Sequence, residues 1–119
     1  MITLYGYKKC STCRKAESAL AKAGIKYTFV DITENPPSAA ALKTMAQQAG
    51  RDLKKMFNTS GVSYREQNIK DKLPSLSDTE ILKLLAADGR LIKRPLVTDG
   101  KSTTVGFDET EFRRVWVRA

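Results

Sequence analysis

The sequence predicts a single α/β domain in which helices pack against a mixed sheet of four strands. A strand, an amphipathic helix and a second strand follow one another at the amino end, which is the order of a parallel pair joined by a crossover helix. An Asp-Gly turn between two strand-like runs near the carboxyl end predicts an antiparallel hairpin. The stretch between these two units carries helix signals of its own.

The first strand and the helix after it can be placed closely. Residues 2–5 form an apolar, strand-like run, and Gly6 ends it. From residue 11 or 12 onward, small and apolar residues recur at helical spacing as far as Gly24, which provides a helix stop. Residues 26–31 then alternate as a second strand.

Helical signals dominate residues 35–94, a stretch far longer than an ordinary connection. Ser38 follows a Pro-Pro break and is expected to cap a helix. Residues 52–57 predict a further short helical piece. Residues 77–80 form a capping box that opens a strong helix. We therefore expect a helical insertion here rather than a loop.

The carboxyl-terminal part predicts a hairpin and one more helix. Residues 95–98 and 103–106 flank the Asp-Gly turn, and Asp108 is placed to cap the last helix. Its apolar side is expected to pack inward through Phe112, Val115 and Trp116, and its basic side to face solvent through Arg113, Arg114 and Arg118. This layout is thioredoxin-like, with residues 1–119 as one domain and an insertion at about residues 35–94.

Composition and charge narrow the classes of function. The 119 residues are 41% hydrophobic, enough for a packed core without disulfide or metal staples. The net charge of +8 favours anionic partners such as oxyanions, acidic peptides or acidic protein faces. The basic residues are spread along the chain without aromatic interleaving, so we expect no direct binding of nucleic acid. We also expect a monomer.

The most informative motif is the pair Cys10 and Cys13, set between the first strand and the first helix. Unpaired backbone N–H groups and the helix dipole favour an anion at this position, and a thiolate is the nucleophile of sulfur chemistry. Lys8, Lys9, Arg14 and Lys15 flank the two thiols and are expected to lower the cysteine pKa further. The favoured interpretation is a redox-active pair.

Three other interpretations of the two cysteines are weaker. A structural zinc site needs four ligands, and the chain has only two cysteines and no histidine. Inert buried cysteines fit poorly with the flanking cations. A permanent disulfide would close a loop too short to gain much stability. Met1 leads directly into the first predicted strand without a signal-peptide or membrane-spanning pattern, so we expect a cytoplasmic protein, where a close cysteine pair is usually catalytic or sensing.

Four blocks of the sequence resemble, in order and spacing, those of the ArsC/Spx family. They are the Cys10–Cys13 motif with the Arg-Lys-Ala after it, and residues 58–61, 92–97 and 105–109. This family comprises glutaredoxin-linked arsenate reductases, Spx and MgsR transcription regulators, and short YusI-like members, which the chain resembles most through residues 53–61. The resemblance implies a thioredoxin-like fold with a helical insertion and Cys10 as the redox-active thiol. It implies no bound cofactor.

The resemblance also assigns Arg94 and Pro95. It implies that the Arg94–Pro95 peptide bond is cis, that it lies beside the active cysteine, and that neighbouring backbone groups bind an extended substrate. A guanidinium there can hold an oxyanion or carboxylate by two hydrogen bonds and stabilise the Cys10 thiolate. With Cys10, Cys13 and Arg94 as the catalytic residues, we expect substrate to be bound by Ser11, Thr12, Asn58 and Pro95.

Two positions depart from the family's arsenate reductases. The reductases use two further arginines to hold the oxyanion, and those positions fall on Asn58 and Gly106 here. Each charge-assisted contact is worth about 1.5–3 kcal/mol, so the loss of two should weaken an oxyanion site strongly. The reductases also usually lack a second cysteine, whereas Cys13 here can resolve an intermediate internally.

We therefore predict thiol–disulfide exchange as the main activity. Cys10 attacks a sulfur or a peroxide, and Cys13 displaces the product to give a Cys10–Cys13 disulfide. Thioredoxin, glutaredoxin or glutathione is the expected reductant, with glutathione as a candidate co-substrate. Two alternatives stay open: a redox-sensing regulator that binds the α subunit of RNA polymerase, as Spx does, and a glutathione-linked arsenate reductase.

Overall fold

One mixed sheet of four strands forms the centre of the molecule, as the sequence predicts. The computed structural model describes residues 1–117; Arg118 lies outside them. The strands are β1 (Ile2–Gly6), β2 (Tyr27–Asp31), β3 (Leu96–Thr98) and β4 (Thr103–Val105). Their order is β2-β1-β3-β4, with β1 and β2 parallel and the β3–β4 hairpin antiparallel. This confirms both the parallel first pair and the hairpin.

Six α-helices are found in residues 1–117. They are α1 (Ser11–Lys22), α2 (Ala39–Ala49), α3 (Val62–Glu66), α4 (Ile69–Lys72), α5 (Asp78–Ala87) and α6 (Glu109–Trp116). Three 3-10 turns accompany them at Leu53–Met56, Leu73–Ser75 and Gly89–Leu91. The piece expected at residues 52–57 is thus a single 3-10 turn, and the sequence patterns did not reveal α3 and α4.

The predicted helix caps form through the expected side chains. The Ser38 hydroxyl accepts a hydrogen bond from the Ala41 N–H, and Ser77 exchanges bonds with Glu80 in a complete capping box. Asp108 caps α6 by accepting from the Glu111 N–H. Each cap fixes the start of a helix and therefore the direction in which its apolar face points.

The two faces of the sheet are covered by different helices. On one face Leu4 and Val97 are buried with residues of α1 and α6, among them Phe112 and Trp116. The Trp116 Nε1 donates to the Thr104 hydroxyl at 2.8 Å, which ties α6 to β4. Residues of opposite parity in the same strands point to the other face, where α2 and α5 cover them. None of the helices in residues 1–117 is both long and apolar enough to cross a bilayer.

Candidate functional site

The two cysteines lie where β1 passes into α1. Cys10 is the N-cap residue of α1, and its N–H donates to the Tyr7 carbonyl at 3.0 Å. Its side chain is half-buried, whereas Cys13, one turn further, is fully buried, and both are free thiols. Solvent therefore reaches the first sulfur and not the second.

The pKa of Cys10 lies below its ordinary value of 9.0. Partial burial acts to raise it, but hydrogen bonds to the sulfur outweigh burial. The largest of these comes from the Thr12 hydroxyl, with Sγ and Oγ1 3.0 Å apart, and the next from the Cys13 thiol. The sulfur makes no well-formed capping bond, yet the N–H groups of Cys13 and Thr12 still act in the same direction.

The pKa of Cys13 is shifted the opposite way, to about 12. Burial is the main cause, and the neighbouring Cys10 sulfur adds to it, against smaller opposing effects of the Tyr7 backbone and Arg94. Gly6 leaves the space that this thiol needs, because a Cβ at residue 6 would lie 3.0 Å from the Cys13 Sγ. At neutral pH, Cys13 is therefore a protonated thiol that donates toward the Cys10 sulfur.

The expected role of the flanking cations in this shift needs correction. Burial acts to raise the pKa of Cys10, and the leading causes that lower it are hydrogen bonds from Thr12 and Cys13 rather than the charges of Lys8, Lys9, Arg14 or Lys15. Lys8 contacts an aromatic ring instead, with its Nζ 4.4 Å from the centre of the Phe29 ring. Short-range hydrogen bonds have the larger effect on the pKa of Cys10 because the charges of exposed lysine and arginine side chains are screened by water.

The Thr12 hydroxyl lies between two acceptors. It is 3.0 Å from the Cys10 Sγ and 3.5 Å from the Arg94 carbonyl oxygen, to which it donates. A hydroxyl has one proton, so it can satisfy the carbonyl when Cys10 is a thiol or the sulfur when Cys10 is a thiolate. The shorter distance to the sulfur favours the thiolate arrangement.

A cleft of about 380 Å³ opens beside Cys10 and brings most of the predicted site residues together. Its lining includes Cys10, Ser11, Thr12, Phe57, Asn58, Thr59, Ser60, Lys93 and Arg94. Pro95 is buried behind the wall, and the Arg94–Pro95 bond is cis, as the resemblance implies. A larger open depression of about 520 Å³ between α1 and α6 contains neither cysteine.

Arg94 lines this cleft, but its charge acts on other groups than expected. Its Cζ lies 5.7 Å from the centre of the Tyr7 ring. The guanidinium contributes to lowering the pKa of Cys13 and, after the hydrogen bonds from Thr33, that of Asp31. The expected stabilisation of the Cys10 thiolate by Arg94 is not among the leading causes of the Cys10 shift.

Sequence reasoning gave Lys93 no role in the site, and it connected the loop of residues 58–61 to the site only through the family resemblance. The segment of residues 56–58 is joined to residues 91–93, which lead into Arg94, by two main-chain hydrogen bonds. The Asn58 N–H donates to the Leu91 carbonyl at 2.7 Å, and the Lys93 N–H donates to the Met56 carbonyl at 2.8 Å. The adjacency of Lys93 to Arg94 was the one signal that could have pointed to it. Residues 1–117 hold no cluster of three or more metal-ligating side chains.

A half-buried thiol with a lowered pKa, at the start of the first helix of such a sheet, defines a thioredoxin-like protein with a Cys-x-x-Cys site. The ArsC family model matches residues 5–115, and the chain belongs to that family. It is 52% identical to the uncharacterised protein YusI of Bacillus subtilis, over 97% of this chain and 98% of the relative.

Two further comparisons connect the chain to named proteins. It is 28% identical to the global transcriptional regulator Spx 2 of Bacillus anthracis, over 100% of this chain and 89% of the regulator. A crystal structure described as a possible arsenate reductase from Streptococcus mutans superposes with a TM-score of 0.83 and 46% identity, covering 90% of this chain and 91% of the other. The thioredoxin-like fold of ArsC-family proteins is thereby confirmed.

Proposed function

We propose that this ArsC-family protein is a thiol–disulfide oxidoreductase with Cys10 as the nucleophile and Cys13 as the resolving thiol. The observation that carries the proposal is the opposite shift of the two sulfur pKa values, one lowered and one raised to about 12. A lowered pKa gives an accessible thiolate near neutral pH, and a raised pKa keeps the second thiol protonated until it is needed. The proposal places the protein in a reducing compartment, the cytoplasm, as a monomer.

The reaction proceeds in two exchanges. The Cys10 thiolate attacks a substrate disulfide, the Cys10–substrate S–S bond forms, and one substrate thiolate leaves. Cys13 then loses its proton and attacks the Cys10 sulfur, so that a Cys10–Cys13 disulfide forms and the second substrate thiol leaves. The substrate gains two electrons, which the two cysteines lose. A thiol reductant such as thioredoxin, glutaredoxin or glutathione returns them.

The cleft residues have separate parts in this scheme. Thr12 donates to the Cys10 thiolate and holds it toward the cleft. Arg94 and the Asn58 amide line the same cleft and are placed to bind the polar groups of the substrate around its sulfur. The main chain next to Pro95 is the proposed docking edge for an extended substrate.

Arsenate reduction is a weaker candidate for this chain. The similarity to a crystal structure described as a possible arsenate reductase favours it. Against it, the cleft offers a neutral amide at Asn58, and Gly106 is a buried glycine without a side chain to bind an oxyanion. A regulator that contacts RNA polymerase is the second candidate, favoured by the similarity to Spx 2 along the whole chain.

A Cys13→Ser variant tests the proposed function. After mixing with a disulfide substrate it should retain a stable adduct on Cys10, because the resolving thiol is gone. The wild-type protein should instead show a Cys10–Cys13 disulfide and two released thiols for each disulfide consumed. Peptide mapping by mass spectrometry reads out both products.

The matched control is Cys10→Ser, which should form no adduct at neutral pH because Cys13 is buried and protonated. Adduct formation on Cys13 in that variant, or one released thiol per disulfide in the wild type, would contradict the assignment. Wild-type turnover with arsenate but not with disulfides would favour the reductase instead.

A further inference from the structure

Lys93 is a cation of the Cys10 cleft to which no role has been given so far. It lies beside Arg94 in the chain, and both side chains line the cleft with Cys10. Its main chain is fixed by the 2.8 Å hydrogen bond from its N–H to the Met56 carbonyl. Its side chain is exposed, so its position depends on what the aliphatic stem contacts.

The stem of Lys93 crosses the backbone of Gly106. A Cβ built on Gly106 would lie 2.8 Å from Lys93 Cε and 3.7 Å from Cδ, so the stem occupies the place of a side chain at residue 106. Gly106 has a φ of +77°, a conformation that favours glycine, and its N–H donates to the Pro95 carbonyl at 2.8 Å. The glycine thus provides a fixed groove for the lysine stem, and the ammonium follows one bond after Cε.

The cleft that Lys93 lines carries no compensating negative charge from its other lining residues. Arg94 contributes a second cation, and the lining residues named above include no aspartate or glutamate. The first turn of α1, which opens into the cleft at Ser11 and Thr12, has no acidic residue either. Within residues 1–117 Lys93 makes no ion pair. Two adjacent cationic residues therefore line the cleft that contains Cys10.

We propose that Lys93, held in the Gly106 groove, makes the cleft selective for small anionic disulfides that carry a carboxylate close to the attacked sulfur. The inference rests on the proposed oxidoreductase function and names its substrate class. The ammonium binds the carboxylate while Cys10 attacks the sulfur, so the charge assists the exchange without touching the reacting atoms. Lys93 is a specificity-determining residue in this scheme.

Three small disulfides of different charge test this selectivity. They are the dianionic disulfide of thionitrobenzoate, the neutral disulfide of thiopyridine, and cationic cystamine. Each is mixed with the fully reduced protein under single-turnover conditions at low salt, and the rate of the first thiol release is followed. Lys93→Gln is compared with the wild type, and Lys43→Gln on α2 is the control with the same change in net charge.

The dianionic disulfide should react about 2- to 5-fold more slowly with Lys93→Gln than with the wild type, in the range expected for one exposed ion pair. The neutral disulfide should react at an unchanged rate, and cystamine should react faster. Lys93→Arg should keep the wild-type preference, and Lys43→Gln should behave as the wild type with all three. Added salt should reduce the advantage of the anionic substrate.

Equal slowing of all three disulfides would overturn the inference, because it would mean that Lys93 acts on the Cys10 thiolate or on the fold. Unchanged rates in Lys93→Gln would overturn it as well. Failure of the oxidoreductase function itself looks different: the wild type would not release a second thiol equivalent, even with the neutral disulfide.

Discussion

At the residue scale, the surroundings of Cys10 and Cys13 shift the pKa values of the two thiols in opposite directions. The structure achieves this difference through burial and hydrogen bonding: one thiol stays half-exposed beside the Thr12 hydroxyl, and the other occupies the space above Gly6. The charge of neighbouring lysines has little part in it. The pKa difference between the two thiols is therefore set by burial and short-range hydrogen bonds rather than by the charges of exposed side chains.

Replacement of Thr12 by valine tests that statement. The variant keeps the side-chain shape and loses the hydroxyl, so the pKa of Cys10 should rise toward its ordinary value. The alkylation rate with iodoacetamide at neutral pH should fall about 3-fold, since the loss of thiolate is partly offset by its higher nucleophilicity.

The measurement is the pH dependence of Cys10 alkylation, followed by peptide mapping. Thr12→Ser restores a hydroxyl and should return the midpoint to the wild-type value. An unchanged midpoint in Thr12→Val would mean that the Cys13 thiol and the backbone N–H groups at the helix N-terminus lower the pKa without the Thr12 hydroxyl.

The sequence predicted the site at this scale only in part. Cys10 and Cys13 were recognisable because their spacing and their place before a helix are local features. Arg94, Asn58 and the cis bond before Pro95 came from the family resemblance. Lys93 escaped because its role depends on contact with Gly106, a tertiary contact that neither residue signals alone.

At the element scale, helix starts were predictable because caps are formed by residues next to each other in the chain. The hydroxyl of Ser77 and the carboxylate of Glu80 exchange bonds with each other's backbone, and only their spacing of three is needed to see it. α3 and α4 were missed because helices of five and four residues are too short to show a periodic apolar pattern.

Replacement of Ser77 by alanine should lower the free energy of unfolding by about 1 kcal/mol, because the Glu80 N–H loses its acceptor at the start of α5. Urea unfolding measures the change. The alkylation rate of Cys10 should stay the same, since α5 contributes no residue to the cleft lining.

The control for this change is Thr79→Ala, an exposed position in the same first turn, where the effect should stay below about 0.5 kcal/mol. Equal losses in the two variants would contradict a specific contribution of the cap, because alanine has the higher helix propensity and cannot itself account for a loss.

At the scale of the whole molecule, the proposed redox site is coupled to global stability through Cys13. Folding raises the pKa of this thiol from its ordinary 9.0 to about 12, so the folded state holds the proton more tightly than the unfolded chain does. The resulting contribution to stability is fully present below pH 9. It is lost as the pH rises from 9 toward 12.

Under reducing conditions, the free energy of unfolding should therefore fall on going from about pH 8 to about pH 10.5, and it should fall less steeply in Cys13→Ala. Tyr27, whose pKa is raised to about 12 by burial and by its hydrogen bond to Glu17, acts in the same direction in both proteins and cancels in the comparison. Denaturant unfolding across this pH range provides the measurement. Parallel curves for the two proteins would contradict a buried, protonated Cys13.

Two chain segments that line the Cys10 cleft are joined by main-chain hydrogen bonds. The Asn58 N–H donates to the Leu91 carbonyl and the Lys93 N–H to the Met56 carbonyl, on either side of the bridge pair Phe57 and Ile92. The backbone of the Cys10 cleft is thus ordered by these bonds before a ligand binds, so binding costs little additional backbone entropy. We expect the ligand selectivity of the cleft to depend on electrostatic complementarity rather than on the free energy of a conformational change.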